Sequence, residues 1–487
     1  MTISIPFDNS YARLPDRFYA PVRPSAASAP QLLQLNRALA AELGLDAEAL
    51  AAPEGIEILS GLRIAEGSQP IAMAYAGHQF AHFVPQLGDG RAILLGEVVD
   101  RSGRRRDLQL KGSGRTPFSR GGDGKAALGP VLREYVVSEA MAALGIPTTR
   151  ALAAVTTGEQ VVREDLLPGA AIVRVAASHI RVGTFQFFAA REDVEGLRLL
   201  ADHVIARHYP AAAQAERPYR ALLDGVIAAQ ADLIARWLLV GFIHGVMNTD
   251  NMAVSGETID YGPCAFLDDY DPNKVFSSID RMGRYAYGRQ PEMALWNLTR
   301  LAETLLPLLA EDEVEAIADA EAALAAFAPA FERAYLGGLR RKLGLFTEKE
   351  DDLGLATALL RILAANRIDF TNFFRGLVDA DQSGLRDMFE APTVIDDWLA
   401  QWKARLADEP QDELARRTLM RAANPAFIPR NHRIEAMIRA AVDHGDFAPF
   451  EELLTVLARP YEDQPEYDGY RSPPAEQERV TATFCGT

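Results

Sequence analysis

The sequence predicts an α+β protein with a small β-rich lobe followed by a large, mostly helical one. Three observations carry this expectation. Between residues 71 and 184, short β-prone runs joined by glycine-containing turns surround one helical segment. From residue 185 onward, apolar residues recur at helical spacing in one segment after another. The length, 487 residues, exceeds what one simple core spans.

Residues 1–70 are read as an extension that wraps the core, Pro- and Ser-rich in its first 30 positions. Within it PQLLQLNRALAAELGL (30–45) has helical apolar spacing and a stop at Gly44. The first lobe, 71–184, holds AILLGEVVD (92–100) and RRDLQLKGSG (105–114), which predict a hairpin turning at Arg101-Ser102-Gly103. ALGPVLREYVVSEAMAALG (127–145) returns to a helical period. ALAAVTT (151–157) and AAIVRVAAS (170–178) read as further strands. In the second lobe, 185–460, GLRLLADHVIARHY, YRALLDGVIAAQADLIARWLLVGFIHG, MALWNLTRLAETLLPLL and VEAIADAEAALAAFAPAFERAYLGGL each predict a helix. MAVSGETIDYG (252–262) interrupts them as two short strands around Gly256. Residues 461–487 read as a flexible polar tail carrying Cys485. No fixed-period repeat is present.

Bulk properties exclude several roles. A formal charge of −17 argues against nucleic acid as a partner, because phosphate contacts dominate that affinity. The most apolar long stretch, Ala229 to Met247, contains Asp232, Arg236 and His244, so no membrane span is expected. The N-terminus lacks a basic region followed by an apolar run, and two cysteines exclude a disulfide framework. A cytoplasmic location follows.

The candidate chemistry is concentrated in a few stretches. Residues 101–133 carry nine Lys or Arg against two acids, a local +7 that suggests a bound anion; a solvated basic loop is the alternative. Glycines in LKGSGRTPFSRGGDGK would let backbone amides approach phosphate oxygens. Lys111 ends a strand and Glu134 lies in the next helix, a pairing that holds a phosphate-binding ammonium in kinases. QLGDGR offers Gly88, Gly90 and Arg91 as a turn over a nucleotide, or simply a hairpin turn. HGVMNTDNM (244–252) resembles a kinase catalytic loop with Val246 where the catalytic Asp belongs. Asp250 is then the candidate base, and Asn251 with Asp260 of DYG the oxygen pair for a divalent cation; turn capping is the alternative for each. Arg174 in a strand, and Arg181 after it, suit phosphate binding or internal ion pairs. The order of glycine turn, strand Lys, helix Glu, loop and DYG is that of a protein-kinase fold. Neither zinc-site spacing nor a hydrolase nucleophile elbow is present.

These residues carry a resemblance. YAGHQF (75–80), QLGDGRA, LQLKGSGRTPFSRGGDGKA, REYVVSEAM, HGVMNTDNM, IDYGPCAFLD and the C-terminal cysteine together resemble the selenoprotein O (YdiU) family over essentially the whole chain. The resemblance implies a protein-kinase-like bilobal fold lacking the usual catalytic Asp. It implies transfer of AMP from ATP to Ser, Thr or Tyr hydroxyls of proteins, and transfer of UMP with Mn²⁺. It further implies that Asp250 is the base, that Asn251 and Asp260 hold Mg²⁺ or Mn²⁺, and that Lys111 binds phosphate with Glu134 in support. Gly88, Gly90, Arg91, Asp123, Gly124, Lys125, Arg174 and Arg181 would surround the nucleotide, with Asp260. Family members carry Cys or selenocysteine at the tail, so Cys264 and Cys485 are a candidate redox pair, against two unrelated thiols. Two rival readings stay open: an inactive nucleotide-binding scaffold, and a kinase using Asp250 in a rearranged loop.

Overall fold

A computed structural model of the chain describes residues 3–379 and 383–484. Its strands are, in chain order, β1 (Tyr19–Pro21), β2 (Gln31–Leu35), β3 (Ile71–Met73), β4 (Gly77–Gln79), β5 (His82–Val84), β6 (Ala92–Val99), β7 (Arg105–Lys111), β8 (Ala126–Ala127), β9 (Arg150–Val162), β10 (Leu166–Ala176), β11 (Phe242–Ile243) and β12 (Ala265–Phe266). Eight of them form one antiparallel sheet, ordered β1-β3-β6-β7-β10-β9-β2 with β8 beside β10. The predicted hairpin is there as β6–β7, with Ala92 opposite Lys111 and Val99 opposite Arg105.

The alternation of side chains along a strand assigns the two faces of this sheet. Leu108 and Leu110 of β7 and Val173 and Val175 of β10 face back, into a core shared with helices α1 (Arg37–Glu42), α2 (Ala47–Ala51) and α3 (Pro53–Leu59). Ile172 of β10 points to the other face, into the larger core built on α4 (Leu128–Ala143). Gln109 and Lys111, which alternate with Leu108 and Leu110, therefore share the face that carries Arg174. The back face is apolar; the front face carries Lys111 and Arg174 beside apolar Ile172.

After the sheet come α5 (Val182–Ala189), α6 (Val194–His208), α7 (Pro218–Val240), α8 (Gln290–Leu309), α9 (Glu313–Leu324) and α10 (Phe327–Leu343), and further helices reach Leu457. The long run at 219–245 does not stay helical to its end. Gly241 takes a left-handed conformation (φ +78°) as the C-cap of α7, and the chain passes into β11. β11 pairs with β12, which closes residues 244–264 into one excursion.

Three sequence expectations are corrected. Residues 30–45 are not one helix: Gln31–Leu35 is an edge strand on β9, and the helix begins only after Asn36, whose side chain accepts from Leu39 N at 3.0 Å. Pairing with a waiting sheet edge overrides the helical spacing there. Residues 252–262 form no strand pair around Gly256. Ala253 instead bridges Arg181 and Thr258 bridges Thr148, each an isolated contact. The run 314–339 is two helices, broken at Ala325–Ala326. Among the described residues no helix is long and apolar enough to cross a membrane.

Candidate active site

A cleft of about 930 Å³ opens between the front face of the sheet, α4 and the 244–264 excursion. Its floor is an ionic cluster. Lys111 at the end of β7 donates to Glu134 Oε2 at 2.7 Å, and Arg174 Nη1 donates to Glu134 Oε1 at 3.0 Å. Both cations also reach Asp260 Oδ1, Lys111 at 3.3 Å and Arg174 at 2.7 Å. Arg181 Nη1 donates to Asp260 Oδ2 at 2.7 Å and to the main-chain oxygen of Asp250 at 2.7 Å. Burial would raise the Asp260 carboxyl, but Arg181, Arg174 and Lys111 outweigh it and hold the group well below the usual carboxylate range. Glu134 is likewise buried yet held low by Lys111 and Arg174. Asp260 occupies a left-handed conformation (φ +61°), uncommon for a residue with a side chain.

Asp250 and Asn251 lie in a 3₁₀ turn, Thr249–Asn251. Asp250 is 7% exposed, and burial pushes its carboxyl up to about 6, partly offset by Arg181. The Asn251 amide donates to Val246 O at 3.0 Å, which leaves its carbonyl oxygen as the group able to meet a cation. Asn251 and Asp260 both line the cleft and both offer hard oxygen, so they fit a divalent metal of the Mg²⁺ type. Among the described residues there is no cluster of three or more His, Cys, Asp or Glu suited to metal. His244 is structural: it is fully buried, stacks on Trp237, and its ring meets Ile259 O at 2.9 Å.

Gly88 (φ +82°), Gly90 and Arg91 line the cleft on the loop before β6. A Cβ on Gly88 would collide with the Phe118 ring, so only glycine allows that approach. On the loop that follows β7 and packs against Asp89 and Gly90, Asp123, Gly124 and Lys125 also line it. Asp123 is held by Arg163 (2.9 and 3.2 Å), and Lys125 by Glu159 (2.9 Å). Thus every sequence-predicted nucleotide, base and metal residue faces one cleft.

The +7 segment does not stay together. Arg101, Arg104, Arg105 and Arg106 sit at the turn end of β6–β7, about 20 Å along the strand from Lys111. There Arg105 pairs with Asp8, and Arg106 with Asp100 at 3.0 Å. Only Lys111, Arg115, Arg120, Lys125 and Arg133 of that run reach the cleft, where Arg91, Arg163, Arg174 and Arg181 join them. Nine cations face six carboxylates there, a local +3 in a chain of −17. Among the described residues Arg91, Arg115 and Arg120 carry no ion pair.

Cys264 is buried, and burial raises its thiol to about 11. Cys485 lies outside the described residues. Thr483, two positions before it, donates through Oγ1 to the main-chain oxygen of Pro263, the neighbour of Cys264, at 2.5 Å.

A sequence model described as Protein adenylyltransferase SelO matches residues 1–458. The chain belongs to the SelO family. It is 67% identical over the full length of both chains to "Protein nucleotidyltransferase YdiU" of Bradyrhizobium sp. strain BTAi1, and 67% identical, again end to end, to the protein of that name from Methylorubrum extorquens. A Rhodopseudomonas palustris protein of the same name is 65% identical over the full length of both. The chain is accordingly a protein nucleotidyltransferase by family.

The SelO-family cleft also contains residues that sequence reasoning passed over. Asp89, between the two chosen glycines, is buried, accepts from Met73 N (3.1 Å) and Gln109 Nε2 (3.2 Å), and is raised by burial to about 6. Arg163 clamps Asp123 from a hairpin that carries no motif. Tyr75 lies under the Arg181 guanidinium at 4.7 Å, and Gln79 touches Asp250. Both belong to the YAGHQF block, where polar residues beside a glycine were the available signal.

Proposed function

We propose that this chain transfers AMP from ATP to Ser, Thr or Tyr hydroxyls of other proteins, within a kinase-like arrangement of two lobes about the cleft. One observation carries the reading: Asp250 stands buried and sparsely bonded on the same guanidinium that holds Asp260, in a cleft lined by excess cations. In this reading Asp250 takes the proton of the acceptor hydroxyl. The hydroxyl oxygen bonds to the α-phosphorus, and the bond to the leaving pyrophosphate breaks. Lys111 and Arg174, fixed by Glu134, bind phosphate oxygens, and Arg181 ties the Asp250 main chain to the Asp260 carboxylate. Gly88, Gly90 and Arg91, with the Asp123-Gly124-Lys125 loop, cover the nucleotide. Arg91, Arg115 and Arg120 are free to meet the negative charge that develops on pyrophosphate. Asn251 and Asp260 would hold Mg²⁺ or Mn²⁺, which supplies charge neutralisation at the phosphates when bound.

Transfer of UMP from UTP, a cytoplasmic setting and a Cys264–Cys485 pair belong to the same proposal. The closeness of Thr483 to Pro263 supports the pair, and gel mobility of Cys485→Ser without reductant tests it. The central experiment incubates the protein with ATP labelled at the α- or the γ-phosphate. Label entering protein from the α position is the expected result. Label from γ would make it a kinase, and label from neither a scaffold.

A further inference from the structure

The hairpin β4–β5, Gly77–Val84, has no part in the chemistry above, yet its polar groups are built onto the Asp250 turn. His78 N donates to Thr249 Oγ1 at 2.7 Å, and Phe80 N to Asn248 Oδ1 at 3.0 Å. Thr249 in turn donates to Gln186 Oε1 at 2.6 Å, and the Gln186 amide meets the His78 ring at 2.8 Å, closing a ring of contacts. Phe80 and Ala81 are both left-handed (φ +49° and +68°), the pair of conformations a tight two-residue hairpin turn takes.

The carboxylate itself is met at two positions of one strand, β4. A Cβ on Gly77 would lie 2.8 Å from Asp250 Oδ1, so the glycine lets the hairpin close over that oxygen. Among the described residues Oδ1 has no hydrogen-bond partner. Oδ2 accepts from Gln79 Nε2 at 3.2 Å, and Gln79 lines the cleft. Arg181 is bonded to the Asp250 main chain and not to its carboxylate. With Oδ1 shut against Gly77, Oδ2, held by the cleft-lining Gln79, is the oxygen left to meet an acceptor. An ionised carboxylate oxygen accepts more than one hydrogen bond, so Gln79 and an acceptor hydroxyl can share it.

We propose that Gln79 is the positioning residue of the base: its amide fixes Asp250 Oδ2 toward the acceptor hydroxyl, and the hairpin Gly77–Val84 walls the acceptor side of the cleft. The inference rests on the reading of Asp250 as base. A hydrogen bond to a charged group that also sets its direction corresponds to about ten- to a hundredfold in rate.

The test uses the full chain, α-labelled ATP and a generic protein acceptor. Gln79→Met and Gln79→Leu keep apolar bulk at the position and remove the donor without adding a charge. Both are expected to lower kcat by about ten- to a hundredfold with KM for ATP changed less than about twofold, because the nucleotide's contacts lie elsewhere. Gly77→Ala, which pushes on Oδ1 from two residues earlier on β4, is expected to show the same split. A loss of ATP binding in the Gln79 variants, measured by calorimetry, would overturn the proposal by making the hairpin a nucleotide element. Asp250→Asn separates the two readings. If it transfers AMP at near wild-type rate, the base assignment falls and the role of Gln79 with it. If it is silent while Gln79→Met turns over normally, Gln79 alone is misassigned.

Discussion

Asp250 and Asp260 meet at a single nitrogen: Arg181 Nη1 donates to the main-chain oxygen of the first and to Oδ2 of the second, each at 2.7 Å. The proposed base and the proposed metal ligand thus share a rigid spacer. Lysine reproduces it poorly, because an ammonium on a flexible stem is not held in a fixed plane as the buried guanidinium is. Arg181→Lys is expected to lower AMP transfer by about a hundredfold. Because Arg181 is buried, Arg181→Met is expected to lower stability by about 3 kcal/mol, leaving Asp260 undercompensated. Label incorporation and thermal melting read the two effects.

Glu134 orders two cations rather than one, Lys111 through Oε2 and Arg174 through Oε1. Glu134→Gln keeps the shape and removes the charge. The expected outcome is a rise of about tenfold in KM for ATP, with kcat falling less, since both cations then turn wholly to Asp260. Steady-state kinetics at varied ATP check this.

The loop before β6 tolerates no side chain at Gly88, where φ is +82° and the Phe118 ring already occupies the space a Cβ would need. Gly88→Ala is expected to weaken ATP binding about tenfold or more by calorimetry. Adding Phe118→Ala relieves the collision but not the backbone conformation, so only partial recovery is expected.

Chelation with EDTA is expected to abolish transfer, and Mg²⁺ or Mn²⁺ to restore it. Asp260→Ala is expected to stay inactive at any metal concentration. Restoration of the variant by excess metal would sink the assignment of Asp260 as ligand.

Lys342 on α10 is 2% exposed and touches the rings of Phe374 and Phe370 at 4.3 and 5.3 Å. Burial lowers its ammonium to about 7. Between about 7 and the ordinary 10.5 the unfolded chain holds this proton and the folded one does not, so stability rises with pH across that window. Below about 7 both states are charged and the burial cost is complete. Lys342→Met is expected to raise stability by about 2 kcal/mol at about pH 6, with the gain shrinking toward about pH 10. Denaturant melts at both pH values test the slope.

Much of the site was legible because local patterns carry it. A strand that alternates Leu108, Gln109, Leu110, Lys111 must send its charged residue to one face, and α4 must present Glu134 on a helical surface. The β6–β7 hairpin, α4 and most of the later helices follow from such periodicities. Residues 30–45 misled because the same apolar spacing suits a helix or an edge strand, and the partner strand β9 begins more than a hundred residues later. The basic run 101–133 misled because charge counts ignore direction: a strand carries its two ends some ~20 Å apart.

Residue type and order of arrival are properties of the chain alone: Lys111, Glu134, Arg174, Arg181, Asp250, Asn251, Asp260 could be picked out, with the chemistry each can do, before any fold was in view. Which of them share an atom was settled by packing. Arg181 bonds Asp260 across 79 positions, and Gln79 reaches Asp250 across 171. Hydrogen bonds act over about 3 Å while sequence patterns extend over a turn or a strand, so contacts at such separations are set by the packing of whole elements.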